Sequence, residues 1–561
     1  MSRFLLCVSV SIFLLASCAA PEKEILKAKA GRVYGGHVAY YAVEKTANLF
    51  PASIVSIYDQ RNVAPVFECL LSYAEEGQKM LPNLVESYTF SSDNNYLDLN
   101  IKQGVQFHED SCYQGLSRAL NASDIKFTLD FACSSHPLNN QEQLLTPKIM
   151  GAEAFYSAKE PDFDKGVAGI TILSDTSLRI RLVDSTRTIL KILTHQSLSV
   201  VSKRAYEFYG DNIINHPIGT GPFIFQKNSA NSLLFTRNSD YWKKDKYKNR
   251  LPFIDSLTIK FTKESEDIFK SFTSQKTDLL SSIPINEINS LFGTLTDAQE
   301  GKNILHKFQH KKGRKVNFLE FDCTKPPFDD VNLRKSMYHA IDRQKICNDY
   351  LFGEGAPAIQ GILPSVPFFS YMMPVVNPYN MRLAKSCLRK SNYEKGDTIS
   401  FYVNVEKGSS EDQWCKSIVG HFQKELKLQM KLVYVSFTEK MDAIQSGKAS
   451  LWKATIISDY PDAESFLMPY YSKNRGIFKT SKQHFSSLEY DNKMDQARKE
   501  ASPVRRNLYF NECVQILNKE AAIVPLYFED LVVVFNLRLR GAKVNSLGIL
   551  DLSGAFLKPI P

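Results

Sequence analysis

The stretch from Ala454 to Asp462 contains the side chain best placed for binding chemistry. Ala454–Ile457 is mostly apolar and β-branched, which predicts a short buried strand, and Pro461 predicts a turn after it. Asp459 therefore puts a carboxylate where a strand leaves a sheet, with the ring of Tyr460 beside it. Ligands of open α/β sheets dock at such strand ends, where a carboxylate can meet a cationic group. A solvated turn aspartate is the alternative, and this stretch taken alone favours it.

The elements around this stretch predict an α/β arrangement in the second half of the chain. Pro326–Arg334 is expected to open a helix with Asp330 as its N-cap. A second helix is expected to begin with a capping box of Ser410 and Gln413, and Met430–Val435 is predicted as the strand after it. Strands and helices that alternate in this way build a sheet covered by helices.

The first half of the chain predicts strands and helices that are mixed without such alternation. Apolar residues within Tyr96–Phe107 predict a pair of strands around Gly104. An amphipathic helix is expected to follow, with Ser123 as its N-cap. Ile170–Leu182 predicts a hairpin. This half is therefore expected to be α+β.

The segment His216–Phe223 contains two glycines and two prolines, which predicts an unusual and fixed backbone path. A phosphate-binding loop would need a following Gly-Lys-Ser/Thr, and Pro222 lacks one of the N–H donors such a loop uses. A rigid structural turn is therefore expected.

Length and composition predict a globular protein with more than one core. The chain has 561 residues, of which 43% are hydrophobic and 23% charged, and its formal net charge is +9. A single core rarely serves so long a chain. The densest basic run, His306–Lys315, is compatible with nucleic-acid binding. Because the N-terminus predicts export, no nucleic-acid partner is expected, and the run is predicted to be a basic loop or hinge.

The N-terminal stretch predicts export and a lipid anchor. The apolar run Phe4–Leu14 is too short to span a bilayer and is typical of a secretory signal. It leads into Leu15–Cys18, which is typical of a bacterial lipobox. In such a signal, residues 1–17 are removed and Cys18 becomes the lipidated N-terminus, with residues 18–30 as a tether. A plain signal peptide with a chance cysteine is the alternative.

No motif predicts catalysis, a metal site or a cofactor. The sequence has no Gly-x-Ser-x-Gly elbow and no His-Glu-x-x-His pair. His306 and His310 are four residues apart but have no carboxylate ligand close by. The eight cysteines after Cys18 show no zinc spacing, and both disulfides and buried thiols are compatible with an exported protein. The protein is not expected to be an enzyme.

Six blocks of residues occur in the order in which a known family carries them, among them counterparts of its "PFDDVRVR…AIDR" and "ADYPDP" patterns. The blocks are Phe107–Asp110 with Ala122–Phe127, Met150–Glu153 with Gly169-Ile170, Ile218–Phe223, Pro327–Arg334 with Ala340–Arg343, Ser458–Asp462, and Pro525–Tyr527. With these blocks the chain resembles the oligopeptide/dipeptide-binding proteins, family 5 of the bacterial extracytoplasmic solute-binding proteins, which are receptors of ABC importers. The resemblance covers nearly all of the chain after the signal.

The resemblance implies a mixed α/β fold of the type II periplasmic-binding-protein class. Two lobes would be joined by two strand-like hinge crossings and would close on an extended peptide. Lobe I would comprise residues 31–308, with an extra subdomain near 70–200, and the return segment 527–561. Lobe II would comprise residues 309–526.

The resemblance also assigns ligand-binding roles around Asp459. The family's aspartate in this segment binds the terminal ammonium of the peptide, and Ser458 and Tyr460 flank it here. Lys453 stands where oligopeptide-type members can carry a basic residue for the peptide carboxylate, and a surface lysine is the alternative. Dipeptide-type members carry an arginine where this chain has Glu406–Gly408, which argues against strict dipeptide binding.

The implied protein is a monomeric receptor, held by its lipid anchor on the periplasmic or extracellular face of a membrane. It would bind short peptides and deliver them to an ABC permease. An extended peptide can be held through its backbone, independent of its side chains. A non-peptide solute such as a nickel chelate or haem is a second interpretation, since one fold can carry many ligands, and a peptide sensor without transport is a third.

Overall fold

The computed structural model describes residues 27–558 except 43, 74–78, 159, 263, 282–305, 352–354, 366–378, 395 and 475–483. The predicted signal peptide and Cys18 lie outside the described residues. None of the helices in the described ranges combines the length and the hydrophobicity that a bilayer-spanning helix requires.

The α-helices are α1 Ile57–Val63, α2 Ala122–Ala132, α3 Glu142–Leu145, α4 Ala152–Tyr156, α5 Thr188–Ile192, α6 Lys203–Tyr209, α7 Ser265–Thr273, α8 Val331–Ala340, α9 Arg343–Tyr350, α10 Met381–Lys390, α11 Ser410–His421, α12 Phe437–Gln445, α13 Ala463–Leu467, α14 Leu488–Lys499 and α15 Pro503–Lys519. The strands are β1 His37–Ala42, β2 Leu71–Tyr73, β3 Met80–Pro82, β4 Val85–Phe90, β5 Tyr96–Ile101, β6 Ile170–Ser174, β7 Ser177–Arg181, β8 Phe223–Ser229, β9 Ser232–Arg237, β10 Ser256–Phe261, β11 Leu279–Leu280, β12 His306–Phe321, β13 Gly355–Pro357, β14 Thr398–Val403, β15 Gln429–Tyr434, β16 Leu451–Ile457, β17 Ile523–Asn536, β18 Leu539–Arg540, β19 Lys543–Val544, β20 Leu550–Asp551 and β21 Phe556–Leu557. Short 3-10 helices span Lys29–Gly31, Pro51–Ser53, Ser111–Tyr113, Gln196–Leu198, Gly210–Asn215, Met468–Tyr470 and Ser472–Asn474, and a π-helical turn, Phe422–Leu426, continues α11.

One mixed sheet runs through both halves of the molecule. In the described chain it has eleven strands, in the order β15-β14-β16-β12-β17-β11-β1-β10-β9-β8, with β13 paired to the side of β17. The antiparallel strands β12 and β17 are 16 and 14 residues long and lie at its centre. Because each is long enough to enter both halves, these two strands form the two predicted crossings.

The hydrophobic residues form separate cores on the two sides of these crossings. Lobe I is the part whose core comes from residues 38–279 and 533–555. Lobe II is the part whose two main cores come from residues 316–528. Tyr460 is the exception, because it belongs to lobe II in sequence but packs in the core of lobe I.

A separate four-stranded antiparallel sheet, in the order β4-β5-β7-β6, lies within lobe I. It confirms the predicted hairpin, which is formed by β6 and β7. The predicted pair of strands around Gly104 is wrong, since β5 pairs with β4 and β7. The residues after Gly104 hydrogen-bond a more distant partner: Phe107 N donates to the carbonyl of Arg118 and Leu120 N to that of Val105.

The N-cap of helix α2 lies two residues before the predicted cap. The N-cap is Asn121, whose side chain accepts from Ser123 N, and Asp124 completes a capping box by accepting from Asn121 N. Ser123 is therefore wrong as the N-cap, and its hydroxyl donates to Asn121 Oδ1 at 2.6 Å. Several adjacent polar residues can each cap a helix, and only the tertiary placement of the helix selects one of them.

The helix caps in lobe II likewise show that the sequence alone does not always identify the capping residue. Asp330 caps α8 as predicted, with its carboxylate accepting from Asn332 N. Helix α11 is capped by Ser409, which accepts from Asp412 N at 3.2 Å. The predicted capping box of Ser410 with Gln413 is therefore one residue out of register.

The basic run His306–Lys315 lies within β12. The prediction of a loop is therefore wrong. The position of the run in a strand that joins the lobes agrees with the alternative interpretation as a hinge. Between Lys311 and Lys315 the strand carries extra residues that β17 does not match. Asp530 of β17 binds this bulge, because its carboxylate accepts from Gly313 N at 3.2 Å and contacts His310 Nε2 at 2.8 Å.

Candidate ligand-binding site

Strand β16 keeps one edge open beside the predicted ligand stretch. All of its residues pair with β12, whereas β14 pairs only with Leu451 and Trp452. Within the described chain, residues 453–457 therefore have no strand on that second side. Apart from the carbonyl of Lys453, which accepts from Lys440 Nζ at 3.2 Å, this edge offers backbone groups that an extended peptide can pair with.

The turn after β16 exposes Asp459 and buries its neighbours. Ser458 N donates to the carbonyl of Arg314 at 3.0 Å, and the Ser458 hydroxyl donates to the carbonyl of Tyr460. Asp459 N donates to Ser465 Oγ at 3.0 Å. Ser458 is fully buried and Tyr460 is 6% exposed, while Asp459 is exposed. Ser458 and Tyr460 thus hold the turn, and Asp459 is the one of the three whose side chain reaches solvent.

The electrostatic surroundings of Asp459 favour an incoming cation. Although solvent reaches the carboxylate, protein atoms crowd it, and this desolvation raises the pKa of Asp459 to about 6 against the opposing effect of Arg314. Arg314 is 2% exposed, and its guanidinium lies 5.5 Å from the ring centre of Tyr73 in lobe I. The ionised carboxylate therefore has one buried positive neighbour and an open approach on its solvent side.

Lys453 is buried and already paired. Its side chain is 7% exposed, and its Nζ donates to Glu411 Oε1 at 2.7 Å. Burial would raise the pKa of Glu411, but Lys453 and Lys315 together hold that pKa below its usual range. The surface-lysine alternative is wrong, since the side chain is buried. A peptide carboxylate at Lys453 would have to share the ammonium group with Glu411.

A polar row that the sequence analysis did not identify crosses three strands beside this pair. Lys315 of β12 contacts Glu529 of β17 at 2.7 Å. Asn317 Nδ2 donates to Glu529 Oε2 at 3.2 Å, and Thr455 Oγ1 donates to Asn317 Oδ1 at 2.8 Å. These residues meet only through the pairing of β16, β12 and β17. The basic run contained Lys315, but no local signal indicated which strands would flank it.

Charged residues fill the contact between the lobes next to Asp459, and we call five of them the interlobe ion cluster. They are Lys148 and Lys191 of lobe I, and Asp462, Glu464 and Arg506 of lobe II. The carboxylates are almost inaccessible, with Asp462 3% and Glu464 1% exposed. Arg498, 3.4 Å from Glu464, and Asp184, 3.2 Å from Lys148, flank these five.

The contacts within the interlobe ion cluster are short and shared. Asp462 Oδ2 accepts from Lys191 Nζ at 2.6 Å and from Arg506 Nη1 at 2.8 Å. Glu464 accepts from Lys148 Nζ at 3.0 Å and from Arg506 Nη2 at 2.8 Å. Burial would raise the pKa of Asp462, but Arg506 and Lys191 hold that pKa far below its usual range. The turn that presents Asp459 is therefore anchored to both lobes three residues later.

Comparisons with known proteins agree with this architecture. The family model described as "Bacterial extracellular solute-binding proteins, family 5 Middle" matches residues 79–478. The peptide transport periplasmic protein SapA of Haemophilus influenzae is 22% identical, over 98% of this chain and 97% of that protein. Heme-binding protein A of the same species is 21% identical, over 93% of each chain.

A solved structure shows the same fold. The periplasmic binding protein DppA of Helicobacter pylori, in complex with the peptide STSA, matches with a TM-score of 0.76 at 17% identity, covering 94% of this chain and 99% of that chain. The fold is that of the bilobed type II periplasmic binding proteins, as predicted. With the family model matching well over half of its residues, the chain belongs to the bacterial extracellular solute-binding proteins of family 5.

Proposed function

We propose that the protein is an extracytoplasmic receptor that binds short peptides between its lobes and delivers them to an ABC permease. The observation that carries this proposal is the exposed carboxylate of Asp459 at the end of the open edge of β16. Every unmodified peptide has a backbone that can pair with such an edge and a terminal ammonium that such a carboxylate can bind.

The proposal also covers the ligand class, the lipid anchor, the lobe boundaries and the oligomeric state. The printed names of SapA and of the DppA complex, one a peptide transport protein and one with a bound peptide, support a peptide as the ligand class. We place the lipid anchor at Cys18 and the lobe boundaries at residues 31–308, 309–526 and 527–561. The protein acts as a monomer and, as a receptor of this family, performs no catalysis.

Peptide binding is tested by calorimetry with a tetrapeptide and its N-acetylated form. The wild-type protein is expected to bind the free peptide more tightly, because acetylation removes the ammonium group that Asp459 meets. Asp459→Asn is expected to cost about 2–5 kcal/mol of affinity for the free peptide and to remove the difference between the two peptides. Asp442→Asn, an exposed carboxylate on α12, is the matched control and should change neither affinity.

Two results would contradict the proposal. Equal wild-type affinity for the free and acetylated peptides would remove Asp459 from the role of ammonium partner. A haem or metal chelate, found instead of a series of peptides by native mass spectrometry of the purified protein, would favour the non-peptide alternative. The haem-binding relative is the observation that supports that alternative.

A further inference from the structure

A cavity of about 710 Å³ lies between lobe I and the crossing strand β12, and none of the residues proposed to bind the peptide lines it. Its lining comes mainly from residues between 64 and 73, from residues 309–312 of β12, and from residues 543–552 near the C-terminus. None of Lys453, Ser458 and Asp459 lines it. Its volume is within the range of pockets that bind small molecules.

The inner walls of this cavity are largely apolar. Phe67, Tyr73, Phe223, Leu257 and Leu552 all contribute to the lining. Phe223 and Leu257 are almost completely buried, whereas Tyr73, Ile549 and Leu550 are only half-buried and keep accessible apolar surface in this lining. Filling the space with an apolar group would remove this surface from water, which favours binding.

The part of the cavity lined by β12 is positively charged. Lys311 and Lys312 line it, and in the described part of the chain neither ammonium group has a hydrogen bond or an ion pair. The carboxylate of Glu68 does not compensate them, because it is bound by Lys243 at 3.0 Å and by the indole N–H of Trp242 at 2.9 Å.

The other charged side chains that line the cavity do not cancel the positive charge of Lys311 and Lys312. Lys543 and Asp551 carry opposite charges. The Asp551 carboxylate accepts from the backbone N–H and the hydroxyl of Ser553 at 2.9 and 2.6 Å. His310 is held by Asp530 at 2.8 Å. Lys311 and Lys312 therefore provide an excess of two positive charges.

We propose that this cavity is a second binding site, for an organic anion with an apolar body. The apolar part would cover Tyr73, Ile549 and Leu550, and the acidic group would accept hydrogen bonds from Lys311 and Lys312. Both lysines lie at the bulge of the strand that joins the lobes. An anion bound here contacts a crossing between the lobes without touching Asp459.

The test compares three probes that share one alkyl chain: decanoate, decanol and decyltrimethylammonium, each below its micelle concentration. Calorimetry on the full chain is expected to show saturable binding of one decanoate, weaker binding of decanol and no binding of the cation. The double variant Lys311→Gln/Lys312→Gln should weaken decanoate binding by more than about tenfold, because the loss of even one charge-assisted hydrogen bond has that effect and this variant loses two.

Two controls separate this site from general hydrophobic binding and from the peptide site. Lys307→Gln changes a lysine of the same strand that does not line the cavity, and it should leave decanoate affinity unchanged. Asp459→Asn should also leave decanoate affinity unchanged, so failure of the peptide proposal does not affect this one. The inference is overturned if decanoate does not bind, if decanol binds as tightly, or if the double variant, folded with an unchanged Tm, binds decanoate normally.

Discussion

At the scale of single residues, the proposed peptide site depends on the carboxylate of Asp459, which is accessible but poorly hydrated. Crowding by the protein raises the pKa of Asp459 to about 6, which means that its charged form is costly until a cation arrives. A ligand ammonium stabilises that charged form. The residue is therefore suited to a ligand that always carries one positive group.

The raised pKa predicts that peptide affinity depends on pH. Above pH 6 the free carboxylate is ionised and binds the ammonium directly. Below pH 6 it is neutral, so binding must first release a proton, and affinity should fall by about tenfold per pH unit. Calorimetry at pH 7.5, 6 and 5 measures this dependence. The peptide affinity of Asp459→Asn is expected to stay constant over the same range. A wild-type affinity that is constant from pH 7.5 to 5 would contradict the role of Asp459.

At the scale of elements, the crossing strand β12 contains a bulge in which position 313 accommodates only glycine. A Cβ on Gly313 would overlap the carbonyl oxygen of Glu529 on β17. The extra residues of the bulge are thus pressed directly against the neighbouring backbone, and Asp530 holds them there. This contact is part of the strand pair that joins the lobes.

Gly313→Ala is therefore expected to destabilise the fold by about 1–3 kcal/mol, the usual effect of overpacking. The matched control is Gly420→Ala, because Gly420 lies in α11 and a Cβ there meets nothing within 4 Å. That control should be neutral or stabilising by up to about 1 kcal/mol, since alanine is the better helix former. Denaturant unfolding of both variants measures the difference, and equal stabilities would refute the close approach at Gly313.

At the scale of the whole molecule, the interlobe ion cluster ties the lobes together beside the proposed site. The folded pKa of Asp462 is depressed, so its contribution to stability is fully present above its ordinary pKa of 3.8 and is lost only as pH falls toward the depressed value. The cluster should therefore hold unchanged from pH 5 to 8. A pH effect on peptide binding in that window would therefore not come from Asp462.

Removing one partner of the cluster should loosen the contact between lobes. Lys148 is 5% exposed on its side chain, and Lys148→Met would leave Glu464 buried with less positive charge around it, at an expected cost of about 2–3 kcal/mol. Lys203→Met breaks an exposed pair with Glu207 within α6 and should cost less than about 0.5 kcal/mol. Unfolding free energies and the radius of gyration from small-angle scattering, expected to increase only for Lys148→Met, test this. An unchanged radius with unchanged stability would show that the cluster does not hold the lobes.

Short-range patterns were enough to predict the strand that ends before Asp459 and the cap of α8 at Asp330, while the bilobed class was implied by the family resemblance. The expectation that residues 454–457 of this strand are buried is wrong, because they lie on its open edge. These features depend on neighbouring residues, because alternation, turn residues and capping hydrogen bonds act over a few positions. The same patterns misplaced the caps of α2 and α11, where several adjacent polar residues could each accept the same kind of hydrogen bond.

The sequence by itself determined the family, the order of the elements and the carboxylate at Asp459. Only the tertiary structure decided that Ser458 and Tyr460 are buried, that Lys453 is paired with Glu411, and that Lys315, Asn317 and Glu529 lie beside them. The physical reason is that strand pairing and burial depend on residues far apart in the chain, and a local pattern contains no information about which distant strand will supply the neighbour.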